Sequence, residues 1–236
     1  MTAVFKREFK AYFTSPIGCC VLAIMFALTG FFFVAYNVTY ASPDMSVVFQ
    51  NLQSYLLILV LPILTMRLMS DDKRQKTDQI LLTSPVSLTG IVAGKYLAAG
   101  LLFAIGCSLT LVCAVIIGFQ TAPDWMVIIG NYVGLLLMGG MVIAIGLLIS
   151  SLTESQFIAA LGSFLASLLL IMLDNLKNIF SGNELVAAVV DFLSVNQRYS
   201  SFTAGTIQYD DVIFFLSMQA LFLFLTVRLL DRKRWN

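Results

Sequence analysis

Six long stretches of this sequence are too apolar to face water and long enough to cross a bilayer. They run over about residues 17–40, 52–69, 91–119, 126–150, 155–173 and 212–230. A helix needs about 20 apolar residues to span ~30 Å of hydrocarbon. Inside that layer every backbone group must find a partner within the chain, and for runs of this length the solution is an α-helix. Composition agrees: 11% of the 236 residues are charged, where a soluble domain carries about 25%. The expected fold is an all-α polytopic membrane protein with six transmembrane helices, a single domain over residues 1–236.

Charge orients the helices. Twelve of the fourteen Lys and Arg residues fall on one side of a six-span chain: Lys6, Arg7, Lys10, Arg67, Lys73, Arg74, Lys76, Lys95, Arg228, Arg232, Lys233 and Arg234. Lys177 and Arg198 fall on the other. By the positive-inside rule both termini are cytoplasmic. The first apolar run is too long for the core of a signal peptide and lacks a small-residue cleavage site, so it reads as a span.

Two segments outside the spans are patterned. In residues 2–16, Phe5, Phe9, Tyr12 and Phe13 share one helical face and Lys6, Arg7 and Lys10 another, the pattern of an amphipathic helix lying in the headgroup layer. Ser15-Pro16 ends it. The second segment is residues 67–95, a polar island carrying Arg67, Asp71, Asp72, Lys73, Arg74, Lys76, Asp78 and Lys95. Its apolar tip, Ile80-Leu81-Leu82, precedes a break at Ser84-Pro85. Such a segment suits docking against a soluble partner; it equally suits a charged loop that only sets topology. On the far side, residues 184–195 are apolar but too short to cross, so they read as re-entrant or interfacial helices before span six, or as surface helices that only pack.

Three features bear on the spans. Pro62 should kink span two by removing a backbone donor. Span four carries Gly130, Gly134, Gly139, Gly140 and Gly146, and Gly130-x-x-x-Gly134 would let a helix approach closely. The aromatics Phe31, Phe32, Phe33, Tyr36 and Tyr55 are candidates for lining a substrate path.

Little catalytic chemistry is visible. The chain has no histidine, and its four cysteines, Cys19, Cys20, Cys107 and Cys113, lie in apolar runs, read as buried thiols. That leaves no usual ligand set for zinc, haem or an iron–sulfur cluster. The nearest approach to a phosphate-binding loop, Gly90 to Tyr96, is one residue short between its glycines and has tyrosine where a magnesium-binding hydroxyl is needed. No carboxylate sits in mid-span, which weighs against an ion-coupled carrier. What remains is a membrane domain with handles on its basic side and no engine: no enzyme, no bound cofactor and no nucleic-acid partner. A transporter subunit driven by a separate ATPase, a non-transporting scaffold or immunity module, and an ion-coupled carrier all stay open on this ground.

A resemblance separates them. SDDKRQKTDQILLTSPVSLTGIVAGKYLA (residues 70–98), GLLISSLTESQFIAALGSF (146–164), the C-terminal stretch from residue 192 to 235 and the N-terminal FKREFKAYFTSPIG are similar to the permeases of type-2 ABC transporters, and within them to the gliding-motility-type branch. That resemblance implies a permease subunit of an exporter in a bacterial plasma membrane. It would work with two copies of an ATP-binding subunit that hold the ATP and magnesium. It also implies a second permease, identical or a paralogue with a large extracytoplasmic domain. It places an ATPase-coupling helix at residues 71–82, with Asp71, Asp72, Lys73, Arg74, Thr77, Asp78, Ile80, Leu81 and Leu82 as coupling residues. It places an interfacial helix at residues 3–14, with Phe5, Lys6, Arg7, Phe9 and Lys10. The chain departs from the family pattern at Asp71 and Asp72 (usually glutamates), Lys76 (usually glycine) and Gln79 (usually glutamate).

Overall fold

The computed structural model describes residues 2–77, 87–119, 122–179 and 194–235, all helix and connecting turns with no strand among them. Six helices are long and apolar enough to cross a membrane: Pro16–Val38, Ser46–Arg74, Leu88–Gly118, Trp125–Leu152, Gln156–Leu173 and Tyr209–Arg232. They are called spans one to six here. Span two begins earlier than its apolar count, because Ser46, Gln50 and Asn51 are polar yet helical. A helix continues until its end groups are capped, not until its side chains turn apolar.

The helix starts are written locally. Ser15 accepts from the Gly18 amide and Pro16 occupies the first turn of span one. Ser87 accepts from the Gly90 amide at the start of span three, and Asp124 from the Met126 and Val127 amides at the start of span four. Each side chain satisfies a donor that the first turn leaves free. A π-helical segment, Leu56–Val60, lies directly on the N-terminal side of Pro62. The proline ring crowds the preceding turn and supplies no N–H, and a widened turn accommodates both.

Span four is the central helix. Within its most apolar stretch 67% of residues are buried, against 17% for spans five and six. Its glycines explain the position. A Cβ at Gly139 would lie 2.2 Å from the Phe103 ring of span three, and one at Gly146 would lie 2.4 Å from Thr65 Oγ1 of span two. At Gly140 it would meet Tyr96 Oη at 2.7 Å and Gln219 Nε2 at 3.0 Å. Those two residues are bonded to each other: Tyr96 donates to Gln219 Oε1 (2.9 Å), and Gln219 Nε2 donates to the Leu137 carbonyl (2.8 Å). One polar knot thus joins spans three, four and six.

The close approach expected at Gly130 and Gly134 exists, but the neighbour is not another span. It is a short helix, Val195–Thr203, whose Phe202 ring would lie 2.9 Å from a Cβ at Gly134. This helix closes the far end of the bundle, through Asn196 to Gln53 (2.9 Å) and Arg198 to Asp211 (3.1 Å). The remainder of the far-side segment, residues 180–193, lies outside the described residues.

Two expectations are corrected. Cys107 and Cys113 are buried, but Cys19 and Cys20 are exposed on span one, where an apolar run faces outward as readily as inward. Phe32 does not line an open path: it is packed in the core, 5.2 Å from the Tyr55 ring, while the neighbouring Phe31 points out and is 66% exposed.

Candidate functional site

Five segments meet at the basic end of the bundle: the N-terminal helix Thr2–Thr14, the last turn of span two at Ser70–Arg74, the start of span three, the end of span four and the start of span five. A polar cleft of about 430 Å³ opens between the first three, bordered by Arg7, Glu8, Tyr12, Arg67, Asp72 and Lys95, among others.

Lys95 is the centre of it. It sits in the second turn of span three and is 1% exposed. A buried ammonium is costly unless its charge and hydrogens are matched. Here Nζ donates to Glu8 Oε1 at 3.1 Å and lies 2.6 Å from Asp72 Oδ2. Arg7 closes the ring, 2.5 Å from Glu8 and 3.7 Å from Asp72. Two cations and two carboxylates from three different helices therefore hold one another. Burial works against the charge of Arg7, but its hydrogen bond to Glu8, that residue's charge and then Asp72 outweigh it and raise its pKa. Burial, helped by Glu8 and opposed by Arg67, pushes the Tyr12 phenol well above its ordinary range, so Tyr12 stays protonated in neutral solution.

A second cluster ties the charged turn to the link between spans four and five. Arg67 grips Asp71 through Nε (3.2 Å) and Nη2 (2.8 Å), and Gln156 Nε2 donates to the other oxygen of Asp71 (2.8 Å). Ser150 accepts from the amides of Met69 and Ser70, both at 3.0 Å, and so caps a helical turn that has no cap of its own. Lys73 donates to the Ser151 carbonyl.

The residues expected to couple divide accordingly. Asp71, Asp72, Lys73 and Thr77 turn inward and are engaged within the chain, Thr77 by donating to Asp72 Oδ1 at 3.0 Å. Arg74 is exposed. The helix does not run unbroken from 71 to 82: it ends at Arg74, and Lys76 adopts a left-handed backbone (φ +56°). Glycine is the residue most at ease in that conformation, so a lysine there is held at some cost. Asp78, Ile80, Leu81 and Leu82 lie outside the described residues.

The N-terminal helix is also divided. Phe5 and Phe9 stack at 5.8 Å between ring centroids, Phe13 meets Phe9 edge-on at 5.0 Å, and Lys6 and Lys10 are exposed. Tyr12, expected with the phenylalanines, turns instead toward the bundle beside Arg67. The helix lies against span three, where a Cβ at Gly94 would be 3.2 Å from Val4.

Sequence reasoning missed Glu8, Ser150 and Gln156, and read Lys95 as one charge of the polar island over residues 67–95, not as a buried hub. Two signals were there: Glu8 is the one acid among three cations of its helix, and Lys95 stands inside an apolar run. Nothing local reveals that these two are partners.

Against known proteins, a family model described as ABC-2 family transporter protein matches residues 17–228. The match starts after the N-terminal helix, so it takes in Asp72 and Lys95 but not Arg7 and Glu8. No curated protein matches the chain.

Proposed function

The chain belongs to the ABC-2 family of transporter membrane proteins, and from that premise we propose that its basic end is where an ATP-binding subunit drives it. A member of this family is the permease subunit of an ABC transporter, and its ATP-binding partner is a separate subunit. In our reading this end is cytoplasmic, as the distribution of Lys and Arg argues. The complex is an exporter of the gliding-motility-type branch in a bacterial plasma membrane. Two ATP-binding subunits carry the ATP and magnesium, and a second permease, identical or paralogous, completes the path.

The observation that carries this reading is the ion network around Lys95. A force applied to residues 71–82 reaches Asp72, and Asp72 is held to the buried Lys95 of span three and, through Arg7, to the N-terminal helix. Asp71 passes the same displacement to span five through Gln156. One push from below therefore moves spans two, three and five together. Exposed Arg74 and the apolar tip at Ile80, Leu81 and Leu82 serve the docking itself, one for orientation and the other for burial in a groove. The substrate path then runs beside spans two and five, and the segment from 174 to 211 gates its far end.

The test is the double substitution Leu81→Asp, Leu82→Asp in the complex with its ATP-binding subunit. Substrate-stimulated ATP hydrolysis should be lost while the permease still inserts and reaches normal levels. Undiminished coupling would leave this segment as a topology signal only.

A further inference from the structure

A groove of about 400 Å³ opens outward between spans three and six at the basic end. Thr89, Val92 and Ala93 form one wall, and Leu223, Phe224 and Val227 the other. Its mouth carries Arg228 and Asp231. It exists because span three presents small side chains, Thr89 and Ala93, where span six brings large ones. Phe224 is 57% exposed, so the groove faces the surroundings of the bundle and not its core.

Arg228 is held over this groove. Its guanidinium carbon lies 5.1 Å from the centroid of the Phe224 ring, an attractive arrangement for a cation above an aromatic face. No carboxylate among the described residues pairs with it, although Asp231 follows one turn later. Arg232, Lys233 and Arg234 continue the basic run past the end of the span. An apolar slot thus ends at a guanidinium with no carboxylate partner among the described residues, close to the basic end of span six.

We propose that this groove binds one anionic phospholipid of the adjoining leaflet, with an acyl chain between Ala93 and Phe224 and the phosphate on Arg228. The charge selects the occupant. A neutral apolar segment of a partner protein would fill the slot and gain nothing from the exposed Arg228, whereas an anionic phospholipid uses both the slot and the charge. The proposal rests on the chain lying in a bilayer and not on the coupling role of residues 71–82.

The test is native mass spectrometry of the full chain, stripped of lipid and supplied with dioleoyl phosphatidylglycerol or dioleoyl phosphatidylcholine. The unaltered protein should retain one phosphatidylglycerol in preference to phosphatidylcholine. Arg228→Gln should reduce that preference about fivefold, the effect of one basic residue at an anionic surface. Ala93→Trp, which fills the slot, should remove retention of both lipids. Thr89→Trp, at an exposed position of the same wall, gives the same reading if Ala93→Trp does not fold. Equal preference in Arg228→Gln and the unaltered protein would overturn the proposal. So would a change of subunit number in the tryptophan variants with lipid retention intact, which would show that another protein chain covers the groove.

Discussion

At the scale of the residue, Lys95 has the most at stake. Its ammonium is buried and matched by Glu8 and Asp72, whose side chains keep 15% and 17% exposure. Replacing it with methionine puts an apolar stem beside Glu8 and Asp72 and leaves Arg7 as their one remaining cation in this network. Removing one partner of a fully buried pair costs roughly 3–5 kcal/mol, and the residual exposure of the acids places this site at about 3 kcal/mol or below. Lys95→Met should therefore lower the thermal midpoint in detergent, and adding Asp72→Asn and Glu8→Gln should restore most of the loss. A triple variant no better than Lys95→Met alone would mean that the lysine stem, not its charge, holds the helices. Neither acid is recognisable as its partner from sequence, since Glu8 and Lys95 stand 87 positions apart.

At the scale of the element, span four shows how glycine decides packing. A Cβ on Gly146 would lie within 2.4–2.7 Å of Thr65, a contact that neither helix can absorb without moving. Nothing lies within 4 Å of a Cβ built on Gly100 of span three. Gly146→Ala should accordingly cost about 1–3 kcal/mol by forcing spans two and four apart. Gly100→Ala should be neutral or stabilise by up to about 1 kcal/mol through helix propensity. Unfolding both variants in mixed detergent–SDS micelles compares them directly, and similar midpoints would refute the packing argument. The glycine pattern announced a crowded helix. It did not say that Gly134 would meet a short helix while Gly146 met span two, because a pattern on one helix is silent about its neighbour.

At the scale of the whole molecule, span five is two-faced. Ser163 and Ser167 are buried, Ser163 with its hydroxyl 3.4 Å from that of Thr65 on span two. The opposite face presents Leu161, Leu165, Leu169 and Met172, each between 48% and 59% exposed. Exposure alone does not mark an interface in a membrane, since lipid is as apolar as leucine. The proposed second permease gives that stripe an occupant, and the two possibilities separate by cross-linking. In a chain whose four cysteines have been removed, Leu165→Cys should form a disulfide with a second permease in native membranes. Val112→Cys, 53% exposed on span three, should not. Equal yields from the two positions would place span five against lipid and move the subunit contact elsewhere.

The six candidate spans and their order follow from sequence alone, because the cost of unpaired backbone in hydrocarbon is paid residue by residue and needs no neighbour to compute. Helix starts at Pro16, Leu88 and Trp125 are likewise local, set by Ser15, Ser87 and Asp124 within three positions. The tertiary structure decided which helix lies at the centre, which faces remain open and how the basic end is wired. Asp71 and Asp72 read as docking charges until Gln156 and Lys95 arrive from other helices and turn them inward. Ionic and hydrogen-bond partners are chosen by distance in space, and only packing brings residues 8 and 72 within 4 Å of residue 95.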